Sequence, residues 1–166
     1  MEKIDERDIA PQVLKQIQQG AFLVVKAGSQ LNVMTIGWAT LGVIWKKSTM
    51  MVAVRNSRFT FGLIEKADSF AVSVPTGDMT QEINFCGTKS GRDIDKLKEC
   101  RFNPIAGKLI GSPILNLPGF HYECRIVYKT PMDPRFIAPD LEPLYPKKDY
   151  HTLYFGEILA CSQIGK

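Results

Sequence analysis

Six short runs rich in β-branched and aromatic residues constrain this chain more than any other feature. They are AFLVVKA (21–27), NVMTIGWATLGVIW (32–45), TMMVAVR (49–55), SFAVSV (69–74), HYECRIVYK (121–129) and HTLYFGEILAC (151–161). Runs of this kind, bounded by glycine and proline, read as strands. The second is long and interrupted by Gly37 and Gly42, so it reads as one bent strand. In the fifth, Tyr122, Cys124, Ile126 and Tyr128 should face one side, and Glu123, Arg125 and Lys129 the other. The spacing is irregular and lacks the strand–helix alternation of a parallel sheet. A mainly β fold is expected: a small antiparallel barrel with short appended helices, because closure removes exposed sheet edges.

The helical signals are weaker. Val13, Leu14 and Ile17 have helical spacing over 11–19, with Pro11 near the start and Gly20 as the stop. RFTFGLIEKA (58–67) reads as a helix. GDMTQEINFCG (77–87) pairs Asp78 with Gln81 in a capping-box pattern and ends at Gly87. Residues 87–100 read as a polar, basic turn leading into a short helix. Residues 131–149 hold five prolines and form a long loop. Loops of that length are often functional, though a plain surface excursion fits equally.

The chain has 166 residues, the size of one domain, and neither a repeat nor a linker divides residues 1–166. At 45% hydrophobic and 23% charged it is not a disordered chain. No apolar run approaches the ~18 residues of a membrane span. The formal net charge of +4 suits an anionic ligand but is too small to argue for a nucleic acid. The basic residues also do not interleave with aromatics in a stacking pattern, which counts against an OB-like barrel that binds nucleic acid. The start, MEKIDERDIA, lacks an apolar signal region, and the four cysteines have no C-x-x-C spacing. A reducing, cytoplasmic setting is expected. A zinc site from His121, Cys124 and a distant cysteine is conceivable, but buried inert thiols fit better and no metal is expected. P-loop, G-x-G-x-x-G, H-E-x-x-H and G-x-S-x-G signatures are missing, so any enzymatic chemistry is expected to be carried by a cofactor.

Three constellations carry chemistry. Arg55-Asn56-Ser57-Arg58-Phe59-Thr60 lies between a strand and a helix, with Ser57 as the expected N-cap. Hydroxyls, backbone N–H groups and arginine forks suit a phosphate, and equally suit a capped surface helix. Thr88-Lys89-Ser90-Gly91-Arg92-Asp93-Ile94-Asp95-Lys96 is a second anion-friendly turn, or a solvated one. Asn32-Val33-Met34-Thr35-Ile36-Gly37-Trp38 places polar residues and an amphipathic tryptophan on an apolar strand. It suits the face and edge of a flat heteroaromatic ring, or simply a core.

The order N-V-M-T-x-x-W, then R-F-T, then S-G-R-D-x-D-K, then H-T-x-x-x-G-E resembles the flavin reductase-like family, from about Gly20 to Ile158. This is the FMN-binding split-barrel group that includes flavoredoxins and small NAD(P)H:flavin oxidoreductases. The resemblance implies a Greek-key split barrel, bound FMN, and a homodimer with the flavin near the subunit interface. Asn32, Val33, Met34, Thr35 and Trp38 match the strand along the isoalloxazine ring. Ser57, Arg58 and Thr60, with Arg55 beside them, match the phosphate-side turn. Ser90, Gly91, Arg92 and Lys96 match the second polar turn, and His151 a residue close to the ring. No protein acid–base residue is assigned. The implied activity is NAD(P)H-dependent flavin or ferric reduction; the alternative is a flavoredoxin-like electron carrier with a protein partner. Longer relatives add a tail that can place an aromatic residue by the flavin. Here either that wall is missing or another element, such as the Pro-rich loop, supplies it.

Overall fold

The alternating runs fold as strands, and the computed structural model describes residues 1–165. The elements are β1 (Glu2–Lys3), α1 (Glu6–Gln19), β2 (Ala21–Ala27), β3 (Gln30–Ile36), β4 (Ala39–Ile44), β5 (Lys47–Arg55), α2 (Phe59–Ile64), β6 (Ser69–Pro75), α3 (Thr80–Thr88), α4 (Lys96–Glu99), β7 (Pro104–Ile105), β8 (Ile114–Leu115), β9 (Gly119–Pro131) and β10 (His151–Ile164). The main sheet is antiparallel with strand order β3-β2-β6-β9-β10-β5-β4, and β1 adds to β10. The connection from β5 to β6 carries α2 past β10 and β9, a Greek-key crossover. The edge strands β3 and β4 are consecutive in the chain but not paired, which leaves the barrel split between them. The expected split barrel is the fold observed.

Two apolar layers lie on the two faces of the wall. The barrel interior is filled by Leu23, Val25, Met50, Val52, Phe70, Tyr122 and Tyr154, with Val13 and Ile17 of α1 closing one end. Outside the wall, Phe22, Val24 and Val33 pack against Ile83 and Cys86 of α3, Phe102, and Ile114 and Leu115 of β8. This double burial explains why AFLVVKA is buried on both faces up to Val25 rather than alternating.

Several local expectations change. The segment 32–45 is two strands, because the chain turns at Gly37–Trp38 to pass from one lip of the split to the other; Trp38 O accepts from Ala53 N at 3.1 Å. The helix placed at 11–19 begins at Glu6, where Asp5 accepts from Arg7 N, so Pro11 lies inside it. Gly20 does end it, at φ 124°, and a Cβ there would meet Ile83 Cγ2 at 2.5 Å. The capping box does not form. Asp78 Oδ1 instead accepts from Thr80 N and Oγ, and α3 starts at Thr80 and runs past Gly87 to Thr88. The second helix is shorter than expected, 59–64. In β9 the register slips between Ile126 and Tyr128, so Ile126 stays on the barrel interior while Tyr128 turns outward. Glu123, on the opposite face from Tyr122 and Cys124, is buried beneath the outer layer, where it accepts from Leu109 N at 2.8 Å. The His121 ring is buried as well, with Nδ1 2.9 Å from Ser73 Oγ and Nε2 3.1 Å from Leu117 O.

Candidate flavin-binding cleft

The split leaves a cleft of about 650 Å³ beside β3, between α2, the turn before α4, and the Pro-rich loop. Asn32, Met34, Arg55, Ser57, Arg58, Thr60, Ser90, Gly91, Arg92 and Lys96 all line it. A shallower hollow continues from Met34 past Thr35, Gly37 and Trp38 to His151, and shares Met34, Arg55 and Arg58 with the cleft. The fold thus brings thirteen of the fourteen sequence-predicted residues to one groove. Val33 is the exception: alternation along β3 buries its side chain in the outer layer, against Phe22 and Val24.

At the polar end the two predicted turns are tied together. Asn32 Nδ2 donates to Thr60 Oγ at 2.7 Å, both residues being buried. Arg92 donates to Ser57 O at 3.2 Å and lies over the Phe59 ring. Gly91 is forced by this packing: a Cβ would sit 2.3 Å from Asn32 Oδ1 and 2.7 Å from Phe59 Cδ1. Two cations serve the end of α3, where unpaired carbonyls carry partial negative charge. Arg58 Nη1 donates to Gly87 O and Lys96 Nζ to Cys86 O, each at 2.8 Å. Burial holds Lys96 below its ordinary pKa. An ammonium has three donors, so the bond to Cys86 leaves two for an anion in the cleft.

Ser57 does not act as expected. The first residue of α2 is Phe59, Arg58 precedes it in extended conformation, and no side chain caps the helix. Ser57 instead donates its N–H and hydroxyl to Asp149. Arg55 is committed too, donating to Asp149 O and Leu144 O at 3.1 Å each.

The other end is aromatic, with Arg55 over the Trp38 and Tyr145 rings and Arg58 at its border. Trp38, 40% exposed, lies 4.5 Å from the His151 ring between centroids. Tyr145 stands edge-on to both, and its hydroxyl is 3.0 Å from His151 Nδ1. Burial, with the charge of Arg55 nearby, pushes His151 down to about 4, so it is neutral at pH 7. Tyr145 comes from the Pro-rich segment, which carries 3-10 turns at Pro134–Phe136 and Pro139–Leu144. Tyr145, Lys147, Lys148 and Asp149 were not individually legible as site residues. The only signal was the length and proline content of their loop.

A phosphorylated flavin fits this donor set. Hydroxyls, amide groups and cations crowd one end, and a tryptophan, a neutral histidine and the Arg55 side chain line the other.

Among curated proteins, one of Pyrococcus abyssi without an assigned function is 29% identical over 84% of this chain and 70% of its own length. One of Archaeoglobus fulgidus, likewise uncharacterised, is 27% identical over 83% of this chain and 68% of its own. Among solved structures, a flavoredoxin of Methanosarcina acetivorans superposes with a TM-score of 0.69 at 24% identity, covering 87% of this chain and 68% of that one. An NADH:FAD oxidoreductase of Streptomyces globisporus gives 0.68 at 18% identity, covering 99% and 88%. At these identities the structures establish the fold. The family model described as "Flavin reductase like domain" matches residues 14–166, nearly the whole chain, so the protein belongs to the flavin reductase-like family.

Proposed function

We propose that the protein binds FMN in this cleft and transfers electrons as an NAD(P)H-dependent flavin or ferric reductase. The observation that carries this reading is the polarity of one continuous groove. Hydroxyls and cations suited to a phosphate collect at one end, and an aromatic surface of Trp38, His151 and Tyr145 lies at the other. Bound flavin would supply two-electron acceptance and stepwise release. The chain supplies placement and electrostatics. Thr60, Ser90, Arg92 and Lys96 would hold the phosphate, with Arg58 adding positive charge from its post on Gly87 O. Asn32, Met34 and Thr35 would lie along the ring, and Trp38 would cover its open side. The neutral His151, fixed by Tyr145, would present a polar edge that carries no charge of its own.

Purified protein should be yellow and release flavin on denaturation. A colourless preparation that takes up no added FMN refutes the reading. A flavoredoxin-like carrier is the second reading, favoured by the fold shared with flavoredoxins. Anaerobic mixing of holoprotein with NADH or NADPH separates the two. Rapid bleaching identifies the reductase; reduction only by a ferredoxin-type donor identifies the carrier.

A homodimer is part of this proposal. Trp45, Tyr128 and Phe155 form an outward aromatic cluster with centroids 5.7 to 6.3 Å apart, and Val43 nearby is 78% exposed. A second copy covering this face would remove it from water.

A further inference from the structure

Ser57 spends two donors on one carboxylate. Its N–H reaches Asp149 Oδ1 at 3.2 Å and its hydroxyl reaches Oδ2 at 2.5 Å. Ser57 sits in the turn to which the proposed function brings a phosphate. One N–H and one hydroxyl hydrogen cannot fully serve a carboxylate and a phosphate together. The two anions also repel when they share a turn. Asp149 lines the same cleft as Arg58, Ser90, Arg92 and Lys96, so its carboxylate already stands among the phosphate-binding groups.

We propose that Asp149 is an internal stand-in for the phosphate. Its carboxylate holds the Ser57 donors until the phosphate monoester of the flavin replaces it, and that exchange releases the loop end from the turn. The inference rests on the FMN reading and adds a regulation to the same site: ligand phosphate, rather than the ring, unlocks the loop.

The release is local. Links independent of the carboxylate persist at both ends of the segment: the Arg55 guanidinium donates to Leu144 O and Asp149 O, and Asn56 N to Tyr150 O at 3.3 Å. The residues between them have few ties. Pro146 has no N–H, and Lys148 is in the left-handed region at φ 53°, with its N–H on Tyr145 O at 2.9 Å. A lysine at positive φ is held there by its surroundings, and the Asp149 clasp is the adjacent restraint. Freeing Asp149 therefore loosens Lys147 and Lys148, the two lysines of the loop that border the cleft.

Hydrogen exchange of residues 141–150 in the intact protein tests this, with FMN and riboflavin as paired probes. FMN should speed exchange at Lys148 and its neighbours several-fold, and riboflavin should not. Asp149→Ala should show fast exchange without ligand, no further change with FMN, and up to about tenfold tighter FMN binding with riboflavin affinity unchanged. If wild-type protein binds FMN and this segment slows or does not respond, the stand-in is wrong while the FMN reading survives. Parallel weakening of FMN and riboflavin in Asp149→Ala would also overturn it, marking Asp149 as a structural staple. A folded protein that takes up no FMN removes both.

Discussion

The two ends of the groove are built by opposite strategies. The phosphate end is an over-connected junction of loops: Asn32 to Thr60, Arg92 to Ser57, Arg58 to Gly87 and Lys96 to Cys86. Arg58, Arg92 and Lys96 each already serve the protein. The ring end has fewer ties: Trp38, in the turn between β3 and β4, touches His151 at the start of β10, and Tyr145 of the Pro-rich loop stands edge-on to both. Substitutions at the junction should therefore alter folding and ligand binding together. Substitution of the exposed ring-end aromatic, Trp38, should touch binding alone.

Gly91→Ala is the hardest test of the first half. Its Cβ would force Asn32 and the Phe59 ring apart, so stability should fall by about 1–3 kcal/mol and FMN affinity with it. Calorimetry with flavin titration checks this, and a tolerated alanine would show that the junction yields. Thr60→Ala leaves the buried Asn32 amide without its acceptor, at about 1–3 kcal/mol of stability. Thr60→Ser should restore most of it, and equal losses in both variants would deny that the hydroxyl matters.

Acid acts alike on two buried histidines, and substitution of one isolates its share. His121, in the outer layer, and His151, at the ring end, are both held down to about 4, against an ordinary 6.5. In that window the unfolded chain binds more protons than the folded one. Stability is complete above about pH 6.5 and declines as pH falls toward 4, by at most about 1.4 kcal/mol per pH unit for each ring. Urea melts of His151→Gln between pH 7 and 5 should show a shallower pH dependence than wild type. An unchanged slope would mean that the His151 ring is not held neutral. The smallest effect belongs to Trp38→Ala. Loss of one half-exposed aromatic face should weaken FMN and riboflavin equally, by about 0.5–1.5 kcal/mol, without changing the melting temperature. A loss confined to FMN would mean that Trp38 lies nearer the phosphate than the ring.

The strands were legible because alternation and β-branching act locally. Their subdivision was not. The break at Gly37–Trp38 exists because β3 and β4 stand on opposite lips of the split, which no window of residues reveals. The outward turn of Tyr128 comes from a register slip against β10, and the burial of Glu123 from a layer contributed by residues 100–118. Among site residues, short ordered motifs located the two turns and the ring strand. Alternation within β3 was available to set Val33 apart from its neighbours, but the motif was read as one block.

By itself, the amino-acid order determined a mainly β chain with two basic polar turns, a tryptophan just past an apolar strand and a histidine opening the last run. These follow from side-chain chemistry and short-range periodicity. The tertiary structure alone decided that residues as distant in sequence as Asn32, Thr60, Lys96 and His151 line one groove, because barrel closure sets which strand ends meet. It also gave Ser57 a partner 92 positions away in Asp149, where local pattern had made it a helix cap. A hydroxyl takes the strongest acceptor within reach, and only the fold determines which acceptor that is.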